Sequence, residues 1–260
     1  IYGGKGDDRL DGGSGNDILN GGFGNDLMIG SSGNDTYIFG EGNDIIDYSQ
    51  LEESITLIRG GKVDKGSLGT DTFSDFYKTI IASNKDNDWI DGQTGGGEIA
   101  SLDIDLSKES LKVNNLPGIG SYLSSVRNFE NVRGSENADI IKGDNYSNKL
   151  IGNGGDDSLL GGSGDDFLIG GAGDDILNGG IGQDELNGGS GYDIFVLGSG
   201  EGFTTVTDFQ LGIDQLSIGI TDSIKTEFIE DDTLLFAGND YLGKILDTKL
   251  DNTNKDIWMV

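Results

Sequence analysis

The sequence predicts an all-β chain: a solenoid of short stacked coils in two blocks, with a β-rich segment between them and a C-terminal β cap. Three observations carry that expectation. One nonapeptide is written five times without a gap from Gly152 to Val196, as GNGGDDSLL, GGSGDDFLI, GGAGDDILN, GGIGQDELN and GGSGYDIFV. Four more copies run from Gly3 to Ile38, as GGKGDDRLD, GGSGNDILN, GGFGNDLMI and GSSGNDTYI. Elsewhere, apolar residues alternate as on half-buried strands.

Each element of the repeat has a physical reason. Positions 1 and 4 of the second block are always Gly, which supplies turn conformations that side chains make costly. The first six residues therefore read as a turn, and the last three, x-apolar-x, as a very short strand. Such a strand cannot fold alone and must stack coil upon coil at a spacing of ~4.8 Å. If two nonapeptides make one coil, repeats n and n+2 share an edge. Leu159, Leu168, Leu177, Leu186 and Phe195 then point inward between two parallel sheets. In the first block the equivalent residues are Leu10, Leu19, Met28 and Tyr37.

Position 6 is always Asp: Asp157, Asp166, Asp175, Asp184 and Asp193 in one block, and Asp8, Asp17, Asp26 and Asp35 in the other. Stacking sets Asp157, Asp175 and Asp193 along one edge, and Asp166 and Asp184 along the other. The same rule pairs Asp8 with Asp26, and Asp17 with Asp35. Carboxylates at that spacing repel unless a cation cancels them. Between Lys149 and Lys225 there is no Lys or Arg, while thirteen acidic residues fall in the interval. Bound ions are the economical answer, and hard oxygen donors select Ca2+ over softer metals. The expectation is several Ca2+ ions and folding coupled to their binding. Residues 134–151 are two degraded copies, GSENADIIK and GDNYSNKLI. There Asp139 keeps the ligand position while Asn148 replaces Asp, so the coil is expected to continue even where an ion is lost.

Composition excludes several functions. Net charge is −29, from 46 acidic and 17 basic residues, which argues against nucleic acid and anionic membrane surfaces as partners. There is no Cys and no His, so neither a Ser-His-Asp triad nor a Cys-His dyad can be built. No apolar run reaches the length of a transmembrane segment, and no N-terminal secretory signal is visible. Asp103 and Asp105 are the one tempting carboxylate pair outside the turns, and their alternation reads as a solvated strand face. No enzyme activity is expected within these residues.

The nonapeptide is a known repeat signature, and the chain resembles the RTX (repeats-in-toxin) family of parallel β-rolls. The resemblance implies that position-6 Asp residues of repeats n and n+2 share a calcium ion. Carbonyls at positions 1 and 3 would complete its shell: Gly12, Ser14, Gly21, Phe23, Gly161, Ser163, Gly170, Ala172, Gly179 and Ile181. It also implies export by type I (ABC exporter) secretion machinery, a secreted or cell-surface location, and a larger parent chain. Ile1 and Tyr2 fit positions 8 and 9 of an interrupted repeat, which suits a piece of such a parent. The pattern T-D-F-x-x-G-x-D at 207–214 resembles the segment after the roll in family members, and Asp256-Ile-Trp-Met-Val260 resembles a C-terminal export signal. The runner-up reading is a structural or adhesive surface segment.

Domain boundaries are expected at 1–38 (first roll), 39–133 (β-rich segment), 134–196 (second roll) and 197–260 (cap and export signal). Within 39–133 the nine-residue rhythm lapses, and a longer unit is written twice, over Asp44–Gly92 and Asp88–Gly143. Ser54–Ile58 and Leu102–Leu106 read as strands. Phe73, Phe76, Tyr77, Ile80 and Ile81 fit helical spacing, yet Ile81–Gly92 aligns with Val132–Gly143, which favours strand. Asp86-Asn87-Asp88 fails as an EF-hand, since no Glu lies at loop position 12. Beyond the second roll, Thr226–Glu230, Thr233–Ala237 and Tyr241–Leu246 read as strands.

Overall fold

The computed structural model describes residues 1–58, 60–73, 78–93, 100–116, 120–198, 202–218, 224–237 and 240–250. They form two compact units, Ile1–Arg133 and Gly134–Val260. Both are built of β-strands, and no helix among the described residues is long and apolar enough to cross a membrane. Phe76, Tyr77 and the candidate export signal at 256–260 lie outside the described residues.

In the first unit six strands come from nonapeptides: β1 (Tyr2–Lys5), β2 (Arg9–Asp11), β3 (Ile18–Phe23), β4 (Leu27–Ile29), β5 (Thr36–Glu41) and β6 (Ile45–Asp47). They alternate between two sheets, β1-β3-β5 and β2-β4-β6, all parallel. The register is eighteen residues, as in Leu10↔Met28↔Ile46. The nine-residue rhythm thus runs one repeat further than the sequence suggested. Phe39–Asp47 is a further arm whose position-1 Gly is replaced by Phe39.

Nine strands come next: β7 (Thr56–Ile58), β8 (Lys62–Asp64), β9 (Thr70–Phe73), β10 (Thr79–Ile81), β11 (Trp89–Asp91), β12 (Ser101–Asp105), β13 (Ser110–Leu116), β14 (Gly120–Arg127) and β15 (Asn131–Arg133). The parallel stacking does not stop here; antiparallel excursions interrupt it. The β7-β8-β9 meander returns β9 beside β5, so Tyr37 pairs with Phe73, thirty-six residues on. The β12-β13-β14 meander returns β14 beside β10. Strand β10 stacks on β6, and β11 lies between β7 and β15. Phe73 and Thr79–Ile81 are strand residues, in line with the favoured reading. Leu57, Ile80, Ile90, Val126 and Val132 are all buried.

The second unit opens with β16 (Ile140–Lys142), β17 (Lys149–Gly154), β18 (Ser158–Ser163), β19 (Phe167–Ala172), β20 (Ile176–Ile181), β21 (Gln183–Ser190) and β22 (Ile194–Leu197). Even and odd members again form two parallel sheets. One core row is Ile141↔Leu159↔Leu177↔Phe195 and the other Leu150↔Leu168↔Leu186, every one of them buried. The degraded copies at 134–151 therefore keep the coil geometry. Strands β23 (Phe203–Val206) and β24 (Gln215–Ile218) add one more step to each sheet. An antiparallel meander, β25 (Ile224–Ile229), β26 (Asp232–Ala237) and β27 (Asp240–Ile245), then joins the β23 edge through β27. All three lie within two residues of the strands read from the sequence.

Candidate metal centre

The turns carry the chemistry. Gly at position 4 holds a left-handed backbone, with φ of 106° at Gly164 and 140° at Gly173, where a side chain would be strained. At position 1 the demand is for space. A Cβ built on Gly161 would collide with both Asp166 Oδ2 and the Gly179 carbonyl, and one on Gly170 with Asp175 Oδ2 and the Gly188 carbonyl. The position-6 carboxylate and the position-1 carbonyl of the next coil on that edge thus face one small space. Asn153, at φ 79°, stands where most repeats have a position-2 Gly, a conformation Asn tolerates better than most residues.

Two hydrogen-bond ladders bind coil to coil. In one, Oδ1 of each position-6 Asp accepts the position-6 N–H of the coil before it: Asp157 N to Asp175 Oδ1 at 2.8 Å, and Asp166 N to Asp184 Oδ1 at 3.0 Å. The same rung joins Asp8 to Asp26 and Asp17 to Asp35, each at 2.9 Å. The other ladder runs in the opposite sense through position 5. Asp174 N donates to Asp156 Oδ1 at 2.9 Å, and Asn43 N to Asn25 Oδ1 at 2.8 Å.

The first ladder uses only one carboxylate oxygen. Among the described residues, the second oxygen, Oδ2, is buried and accepts no hydrogen bond in Asp8, Asp26, Asp44, Asp157, Asp166, Asp175, Asp184 and Asp193. Buried charges without partners are strongly disfavoured. Burial accordingly pushes the carboxyl of Asp157 up to about 8, Asp166 to about 7, and Asp175 and Asp193 to about 6, with Asp184 raised too. Hydrogen bonds from the backbone offset only part of that cost. An open anionic oxygen among turn carbonyls fits a hard divalent cation.

Not every predicted ligand is open. Asp139 Oδ2 accepts from Ser135 N at 2.6 Å, and Asn148 Oδ1 takes Asp144 N at 2.9 Å. Asp35 Oδ2 accepts from Ser31 Oγ at 3.2 Å and pairs with Lys65 at 3.5 Å. The position-3 carbonyls of Phe23, Ala172 and Ile181 already accept ladder hydrogen bonds from Gly6, Gly155 and Gly164. Among the described residues no group of three or more carboxylates gathers, so backbone oxygens have to supply much of any ion's shell.

Sequence reasoning missed several members of the ladder. Asp44 accepts from Asp26 N at 2.9 Å, Asp71 from Asp35 N at 2.9 Å, and Asp214 from Asp193 N at 3.2 Å. Asp88, rejected as an EF-hand, holds a rung of the same kind: it accepts from Ile55 N, and Glu130 accepts from Asp88 N at 2.9 Å. Only the N-D-x-apolar run at Asn43–Ile46 could have revealed Asp44. Asp105 is buried and caps a short 3-10 turn, paired with Lys108 at 2.7 Å, which is a structural use of the tempting pair.

Two parallel sheets stacked at an eighteen-residue register, with open carboxylates along their edges, define a parallel β-roll. Comparison with known proteins gives that class its name. The profile of the RTX calcium-binding nonapeptide repeat matches residues 1–28, 11–46, 133–168 and 160–195. These two stretches are RTX calcium-binding repeats. Among solved structures the chain is similar to the extracellular lipase LipA from Serratia marcescens, at 17% identity and TM-score 0.34, covering 94% of this chain and 40% of the lipase. It is also similar to the AlgE6R3 subunit of the Azotobacter vinelandii mannuronan C5-epimerase, at 21% identity and TM-score 0.24, covering 48% of this chain and 78% of that subunit. The chain thus spans less than half the length of the lipase it matches. No curated protein matches it.

Proposed function

We propose that the chain is a calcium-dependent folding module of a larger secreted protein. In a calcium-poor cell interior the self-repelling turns keep it loose and exportable. In calcium-rich surroundings ions close the turns and the coils stack. The ligands are the open Oδ2 atoms of Asp8, Asp26, Asp157, Asp166, Asp175, Asp184 and Asp193, with Asp17 on the first roll. Turn carbonyls supply the remainder, Gly161, Gly170 and Gly179 at position 1 among them. Asp139 and Asp35 are the weakest of the predicted ligands, because Ser135 already serves the first and Ser31 and Lys65 the second.

One observation carries this reading: among the described residues, eight buried carboxylate oxygens at one repeat position accept no hydrogen bond, and of these Asp44 Oδ2 lies beside the Lys78 ammonium. The cation-free stretch from Leu150 to Ile224 supports it, since no Lys or Arg nearby in the sequence is available to serve those of the second roll. Extracellular sites of dissociation constant ~10⁻⁴–10⁻³ M switch in the range this role requires. Type I export, and the larger parent whose activity the module would accompany, belong to the same proposal. Circular dichroism of the full chain across a calcium titration tests it. A cooperative gain of β signal in the millimolar range is expected; a spectrum unchanged from EDTA to saturating calcium would overturn it.

A further inference from the structure

We propose that Lys65 and Lys78 are built-in counter-cations, whose ammonium groups fill two turns of the first unit so that those turns load no calcium. The proposal rests on the calcium reading of the open turns. Lys65 is 0% exposed. Its Nζ donates to the carbonyls of Ser31 at 2.6 Å and Gly33 at 3.0 Å, lies 3.5 Å from Asp35 Oδ2, and makes a short bond to Asp71 Oδ1. Ser31, Gly33 and Asp35 are positions 2, 4 and 6 of one repeat. Asp71 takes the place of position 6 one coil on, since its Oδ1 accepts Asp35 N.

Lys78 repeats the arrangement from an unrelated stretch of chain. Its Nζ reaches the carbonyls of Gly40 at 3.4 Å and Gly42 at 2.8 Å and lies 3.0 Å from Asp44 Oδ2. Those are again positions 2, 4 and 6, on the other edge of the roll. Lys65 comes after β8, and Lys78 precedes β10. Neither stretch carries the nonapeptide, yet both deliver one positive charge to the same three oxygens of a turn. One coil earlier on each edge lie the turns of Asp17 and Asp26; Asp26 Oδ2, like Asp44 Oδ2, accepts no hydrogen bond, and among the described residues no ammonium pairs with it as Lys78 does with Asp44.

An ammonium at these distances takes up the position-6 carboxylate that a calcium ion in the same turn would need at about 2.3–2.6 Å, and supplies the positive charge in its place. Two further contacts fix the Lys65 turn: Tyr48 donates its hydroxyl to Asp71 Oδ2 at 2.9 Å, and Tyr48 packs edge-on against Tyr37 with ring centroids 6.4 Å apart. The cation of these two steps is therefore part of the chain itself, so they stay closed when calcium is absent, while the open turns do not.

Calcium stoichiometry of the full chain, by equilibrium dialysis, tests this. Lys65→Met and Lys78→Met are each expected to bind one ion more than wild type and to melt lower in EDTA, with calcium restoring much of the loss. Asp175→Asn, as a comparison, should not gain an ion. Because the lysine variants could fail to fold, calcium anomalous scattering from wild-type crystals gives a second readout. Density is expected beside Asp166 and Asp175 and absent beside Asp35 and Asp44. Density at Asp35 or Asp44 with the lysine displaced would overturn the proposal, as would unchanged stoichiometry in both variants. If wild type binds no calcium anywhere, the functional reading falls and this proposal falls with it; failure confined to the two lysine turns overturns the proposal alone.

Discussion

Asp175→Asn should change the sign of its effect on stability when calcium is added. Asp175 is fully buried, its Oδ1 accepts Asp157 N at 2.8 Å, and its Oδ2 has no donor. An Asn keeps the first contact, and its Nδ2 can donate to the Gly188 carbonyl that shares the space with Oδ2. Burial raises the Asp175 carboxyl from the ordinary 3.8 to about 6. Roughly two units correspond to ~3 kcal/mol, and the cost of burying the new amide offsets part of this, leaving ~1–2 kcal/mol. In EDTA at neutral pH the variant should therefore be more stable than wild type by up to that amount. With calcium present it forfeits a charged ligand, and each tenfold loss of ion affinity costs about 1.4 kcal/mol. Guanidinium midpoints of the full chain, measured in EDTA and in saturating calcium, decide the matter. An effect of the same sign in both conditions would refute the reasoning.

The same geometry sets three further outcomes. Without calcium, stability should fall as pH rises from about 4 through the carboxyl values of about 6, 7 and 8 at Asp175, Asp166 and Asp157. Raised folded-state values mean that the folded chain holds the extra protons; calcium should flatten or reverse this slope by displacing them, as thermal melts across pH would show. Leu177→Ala, between Leu159 and Phe195 in one of the two buried core rows, should cost ~2–5 kcal/mol and raise the calcium midpoint seen by circular dichroism. Gly170→Ala drives a methyl into Asp175 Oδ2 and the Gly188 carbonyl, so the variant should need far more calcium to fold than wild type in the same titration.

Periodicity made much of this molecule legible. The nine-residue spacing alone places Leu159, Leu177 and Phe195 in one core row and Asp157, Asp175 and Asp193 along one edge, because stacking repeats the same contacts each coil. The features that escaped the sequence are those that break the period. Asp44 was hidden by Phe39 in place of Gly, and Asp71 by a meander that doubles its separation from Asp35 to thirty-six residues. Lys65 and Lys78 reach their turns through tertiary folding, for which no spacing rule exists. The position-5 ladder was in plain view as Asp156, Asp165 and Asp174, yet that position also holds Asn, Gln and Tyr in other copies, so its residue type alone does not announce the N–H each side chain meets.

The two opposed ladders have an evolutionary corollary. Every rung of a regular coil joins residues eighteen apart, so excising or duplicating one full coil, such as residues 161–178, would restore each donor to an equivalent acceptor. Losing a single nonapeptide would instead swap the sheets for everything downstream and set unlike edges together. The length of such a chain can therefore drift in whole coils at little structural penalty, and hardly at all in halves.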